Sequence, residues 1–111
     1  MEKLDINFLN CANQLGLSLE DYKELLTISL ADANQDIMRL ETIIENKQED
    51  QYFQVIHHLK GTLCSLMIKS VTDTISTMND LAQKKQNLNQ IPKLYSVLKQ
   101  RINQLNINLN E

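Results

Sequence analysis

The stretch VIHHLKG, Val55 to Gly61, sets two adjacent histidines ahead of a lysine and one of the two glycines in the chain. A neutral imidazole nitrogen is a good nucleophile near pH 7, because its reference pKa of about 6.5 leaves most of it unprotonated. Such a ring can take up a phosphoryl group as a phosphoramidate. On a helix, Lys60 and Gly61 stand at i+3 and i+4 from His57 and share its face, whereas from His58 they stand at i+2 and i+3. His57 therefore has the richer surroundings, with Gln54 one turn before it and Cys64 two turns after. An ammonium ~4–6 Å from a bound phosphoryl group, at an effective dielectric near 20, supplies about 3 kcal/mol per unit of charge before solvent screening. Lys60 can provide it. Gly61 costs a helix about 1 kcal/mol relative to alanine, and close approach of another protein is one reason to accept that cost. Plainer readings stand beside this one: both histidines as solvated helix residues, with Gly61 marking a local kink. A metal site is disfavoured, since neighbouring helix positions diverge by about 100° where zinc-binding i, i+4 pairs converge.

The chain has 111 residues, 42% of them hydrophobic and 23% charged, which suits one domain over 1–111 with a single modest core. A formal charge of -3 offers no concentrated basic excess for a phosphate backbone, so no nucleic-acid partner is expected. Cys11 and Cys64 have neither CxxC spacing nor a cysteine-rich frame, and read as reduced thiols, with Cys64 a small semi-buried filler. The opening MEKLDINFLN lacks a secretory signal pattern, and no window nears the ~18 apolar residues of a membrane span. A cytoplasmic protein without membrane association is expected, and the start at Met1 with the polar ending NINLNE favours a free-standing one.

Two glycines, one proline and no tryptophan leave little material for tight β-turns, so the elements that carry the histidines should all be helices. A short amphipathic helix is expected over about 4–15, closed by Gly16. Ser18, with Asp21 three residues on, marks the start of a long helix. Its apolar stripe runs Tyr22, Leu26, Leu30 or Ser29, Ala33, Ile37, Leu40 and Ile44. After the polar run ENKQED, a second stripe follows as Tyr52, Ile56, Leu59, Leu63 and Leu66, and both His57 and His58 project more than about 90° from its centre. Val71, Ile75, Met78 and Leu81 or Ala82 form a third stripe, and KKQNLNQ ends it. Pro92 fits the first turn of a last helix carrying Leu94, Leu98, Ile102, Leu105 and Leu109. Four long amphipathic helices with short polar loops satisfy one another as an all-α antiparallel four-helix bundle over about 18–109, with the short N-terminal helix as a lid.

At His57, His58, Leu59, Lys60 and Gly61 the chain resembles the H-x-L-K-G signature of the histidine-containing phosphotransfer (HPt) family, and the order of its long helices follows the same plan. The resemblance implies that His57 is the phosphorylated residue, His58 the variable position after it, Lys60 the phosphate-steadying cation, and Gly61 the gap that admits a receiver domain. It implies a phosphocarrier without ATP-dependent kinase activity, passing a phosphoryl group between receiver aspartates in a two-component phosphorelay. The implied partners are response-regulator receiver domains and a hybrid sensor histidine kinase. No cofactor of its own is expected; Mg²⁺ belongs to the receiver. Phe53, Gln54, His58, Gly61 and Cys64 are candidate partner-binding residues of a monomer, with Phe53 equally placed for a core role. The family often has a glycine six positions beyond the motif glycine, where this chain has Met67, and Asp80 is the one acid near the end of the next helix. The alternative function is a helical module that binds a receiver or sensor kinase without being phosphorylated.

Overall fold

The structure is a computed structural model, which describes residues 7–110. Among them are five helices: α1 (Phe8–Gln14), α2 (Leu19–Glu45), α3 (Tyr52–Cys64), α4 (Lys69–Lys84) and α5 (Ile91–Leu109), with single 3₁₀ turns at Glu49–Gln51 and Leu88–Gln90. The first helix, expected over about 4–15, begins only at Phe8, after an extended Asn7 that caps it; positions 4–6 lie outside the described residues. Ser18 caps α2 as its spacing predicts, its hydroxyl oxygen accepting the Asp21 N–H at 3.0 Å. Glu20 and Asp21 in the first turn face the positive end of the helix dipole. Asn7 caps α1 in the same way, accepting from the Asn10 N–H at 3.0 Å.

Helices α2 to α5 pack in sequence order around one core, α5 closes the ring against α2, and α1 lies against α2. Neighbours run antiparallel: along α3, His58 and then Thr62 meet Asp36 and then Asp32 of α2. Leu26, Leu40, Ile56, Leu59, Leu63, Ile75, Met78, Leu98 and Leu105 are fully buried. Each aliphatic side chain so buried contributes about 1.5–3 kcal/mol. Two tyrosines tie elements together through the core. The Tyr22 hydroxyl donates to the Leu66 carbonyl at 2.7 Å, and the Tyr95 hydroxyl donates to the Ile37 carbonyl at 3.2 Å. Burial pushes both phenols up, Tyr95 to about 12 with Glu41 and Glu45 adding to it.

The stripes differ from expectation at their ends. Ile43, three residues after the buried Leu40, is the buried position at the end of α2, and Ile44 is only half-buried. On α5 the buried positions begin with Ile91 and Tyr95, whereas Leu94 and Leu109 are half-buried; Tyr95 wins its place because its hydroxyl reaches a backbone acceptor. Val55 joins the buried face of α3, and Leu66 lies beyond that helix while remaining in the core.

Helix ends in this glycine-poor chain turn in the left-handed conformation, mostly without glycine. Gly16 does so after α1 at φ +71°, but Lys47, Met67 and Lys85 occupy the same role after α2, α3 and α4 at φ 54°, 59° and 54°. After α2, the Lys47 and Gln48 N–H groups donate to the carbonyls of Ile44 and Ile43, the double bond pattern that makes such a cap stable. Met67 stands where the phosphotransfer family often has glycine, and the backbone there takes up the conformation that glycine favours. A side chain in that region costs roughly 1–2 kcal/mol, and Met67 is too exposed, at 44%, to recover it by packing. Met67→Gly is therefore expected to stabilise the fold by about 0.5–1 kcal/mol, after the greater chain entropy of glycine is subtracted. Urea denaturation followed by circular dichroism checks this: the midpoint should rise with unchanged slope.

Candidate functional site

The site is built on the outward face of α3. Tyr52, Val55, Ile56, Leu59 and Leu63 are the anchors of this helix, and their burial between α2 and α4 sets its rotation about its own axis. Once that rotation is set, His57, His58, Gln54 and Gly61 are exposed, and Phe53, Lys60 and Cys64 are half-buried at the margin. The strip expected from i, i+3, i+4 and i+7 spacing is therefore assembled on one side of one rigid rod.

The two histidines face different neighbours. His57 stacks on Phe53, one turn earlier, with ring centroids 5.2 Å apart and planes inclined by 27°. His58 instead reaches across to α2, where its Nδ1 lies 2.5 Å from Oδ2 of Asp36. A turn later Thr62 approaches Asp32, its hydroxyl 3.5 Å from the carboxylate. These contacts tie the exposed side of α3 to α2. Asp36 and Asp32 are the site-side residues that sequence reading missed. Their spacing of four shows that they share a face of α2, but only the packing shows that this face meets α3.

Lys60 forms no ion pair among the described residues, so its ammonium is available to an incoming anion. Gly61 has ordinary helical backbone, and a Cβ placed there would meet nothing within 4 Å. The fold itself therefore does not require glycine at this position. Cys64 and Cys11 are both free thiols; the Cys11 thiol donates to the Met67 carbonyl at 3.4 Å and so helps hold the α3–α4 turn. Among the described residues, no group of three or more His, Cys, Asp or Glu is placed to hold a metal ion, and no helix is long and apolar enough to cross a membrane.

Asp36 holds the His58 imidazole above the usual histidine range, first through the hydrogen bond and then through its charge; Asp32 adds to this, and partial desolvation and Arg39 oppose it. Because the folded-state value is raised, the pair adds stability that is complete below the ordinary histidine value of about 6.5. That stability is lost as the pH climbs through the raised value. The stability difference between wild type and Asp36→Asn should accordingly be larger at pH 6 than at pH 9. The same substitution should lower the NMR titration midpoint of the His58 ring protons.

Family comparison places residues 24–107, from early in α2 to near the end of α5, in the Hpt domain. Neither the curated proteins nor the solved structures yield a match. The matched span covers well over half of the chain and takes in the whole of α3, α4 and their turn. With the helical bundle and the H-x-L-K-G strip in place on α3, the chain belongs to the Hpt domain family, the histidine phosphotransfer modules of two-component signalling.

Proposed function

We propose that this protein is a phosphocarrier whose His57 receives a phosphoryl group from the aspartate of one receiver domain and passes it to another in a multistep phosphorelay. The observation that carries the reading is the pairing of an exposed imidazole with a neighbouring mid-helix glycine that the fold does not need. A glycine without an internal reason is accounted for by an external one, a partner that must come close to the helix. The ammonium of Lys60, which forms no ion pair among the described residues, supports the same assignment.

In the proposed step, the lone pair on Nε2 of neutral His57 attacks phosphorus of the partner's aspartyl phosphate from the side opposite the leaving carboxylate. The N–P bond forms, the P–O bond to aspartate breaks, and the imidazole keeps its proton on Nδ1. The reverse sequence delivers the group to a second receiver. Lys60 steadies the phosphoryl oxygens, and Mg²⁺ carried by the receiver neutralises charge on both sides of the transfer. Gln54, Gly61 and Cys64 line the contact surface, with His58 at its margin. The sequence contains no Gly-rich nucleotide loop, in keeping with a carrier that takes its phosphate from protein partners and not from ATP. The carrier acts as a cytoplasmic monomer, its partners being response-regulator receivers and a hybrid sensor kinase.

Incubation with phosphorylated receiver domains should add about 80 Da in an acid-labile form, and His57→Gln should abolish the gain while His58→Gln retains it. Binding of receivers without any such mass gain would instead mark a non-phosphorylated binding module. Gly61→Leu separates the two demands on that position. It should raise stability by about 0.5–1 kcal/mol, since leucine is much the better helix former and its Cβ would meet nothing within 4 Å. It should also slow transfer from a receiver by about tenfold or more, as the added side chain keeps the partner off the helix. Thermal melts and a phosphotransfer time course on the same variant check both signs.

A further inference from the structure

Phe53 and His57 differ in how firmly they are held. Phe53 is half-buried and packs against the hydrophobic core, whereas the His57 ring stands exposed. The stack between them, 5.2 Å between centroids and 27° between planes, is thus a contact between a ring fixed by the bundle and a ring otherwise free to rotate. An aromatic pair of this kind shifts the population of the stacked rotamer by about two- to tenfold. The geometry also leaves the chemistry open. The reacting lone pair of an imidazole lies in the ring plane, at its rim, so a neighbour on the ring face guides the ring without covering the nitrogen.

We propose that Phe53 is a positioning residue for phosphoryl transfer, its core-anchored ring holding the His57 imidazole in the orientation that a docked phosphoryl donor meets in line. The proposal rests on the reading of His57 as the phosphoryl acceptor. It assigns to Phe53 a part distinct from docking. A residue that only contacts the partner changes how much receiver is needed, whereas one that orients the nucleophile changes the rate once the receiver is bound.

The test uses the full chain and a receiver domain loaded with acetyl phosphate and Mg²⁺, with Phe53→Leu, Phe53→Ala and Phe53→Tyr compared to wild type. Leucine keeps the apolar bulk without the ring, so Phe53→Leu serves as the folded control, and tyrosine restores the ring. The expected result is a transfer rate at saturating receiver lowered about fivefold in the leucine and alanine variants and retained with tyrosine, at unchanged half-saturation. In the same two variants the His57 ring-proton resonances should move downfield as the ring current of Phe53 is lost. Phosphoramidate, a small donor that needs no docked orientation, should phosphorylate all four proteins within about twofold of one another; its P–N bond, already protonated on nitrogen near neutral pH, breaks and ammonia leaves while the imidazole keeps its Nδ1 proton. An unchanged saturated rate in Phe53→Leu, or a change confined to half-saturation, would overturn the positioning role while leaving His57 as acceptor. A wild-type protein inert to both donors would remove the acceptor assignment itself, and the role of Phe53 with it.

Discussion

The rotation of α3 about its own axis is the constraint on which the site depends. Tyr52, Val55, Ile56, Leu59 and Leu63 bury one side of this helix against α2 and α4, and a helix so wedged cannot turn without exposing all five. With a turn every 3.6 residues, fixing the buried side also fixes which residues stand outward. The exposure of His57 is therefore a consequence of hydrophobic packing on the opposite face. Polar contacts refine that rotation without setting it. The His58–Asp36 pair is largely solvent-exposed on the histidine side, and exposed pairs of that kind hold geometry more than they supply stability.

The outward face divides its labour between two adjacent histidines that the sequence alone presents as near equals. His58 reaches towards α2 and is engaged by a carboxylate, whereas His57 stacks on Phe53. A ring bound to a carboxylate carries its proton more firmly and is a poorer nucleophile for it. The two rings therefore differ in their surroundings, a difference that helical spacing alone does not show. Gly61 and Lys60 complete the arrangement by what they lack, a side chain in one case and, among the described residues, an ion-pair partner in the other.

The helix termini show a different balance. Ser18 and Asn7 cap their helices by side-chain oxygens at the positions where sequence rules place them, since an N-cap depends on one residue and its near neighbours. The C-terminal turns follow no such local rule here. Lys47, Met67 and Lys85 adopt left-handed backbone that their own preferences oppose, because the following helices must turn back at once to bury their stripes. The departure at Met67 from the glycine common in the family therefore alters the cost of the α3–α4 turn and leaves its path in place.

Read without coordinates, the chain already declared its helices, its bundle and the strip around His57, because these depend on periodic spacing and on a few local signals such as Ser18, Gly16 and Pro92. The ends of the stripes were less legible: Ile43 against Ile44 is decided by how the end of α2 packs, and Tyr95 against Leu94 by a hydroxyl finding a carbonyl on another helix. Only the tertiary structure brought Asp36 to His58, aligned Asp32 with Thr62, and turned Phe53 from an ambiguous edge residue into a partner of the His57 ring. The physical reason is range. Spacing along one helix is fixed by its 3.6-residue turn, whereas contacts between helices depend on the axial offset and rotation at which whole cores interlock, which no single segment encodes.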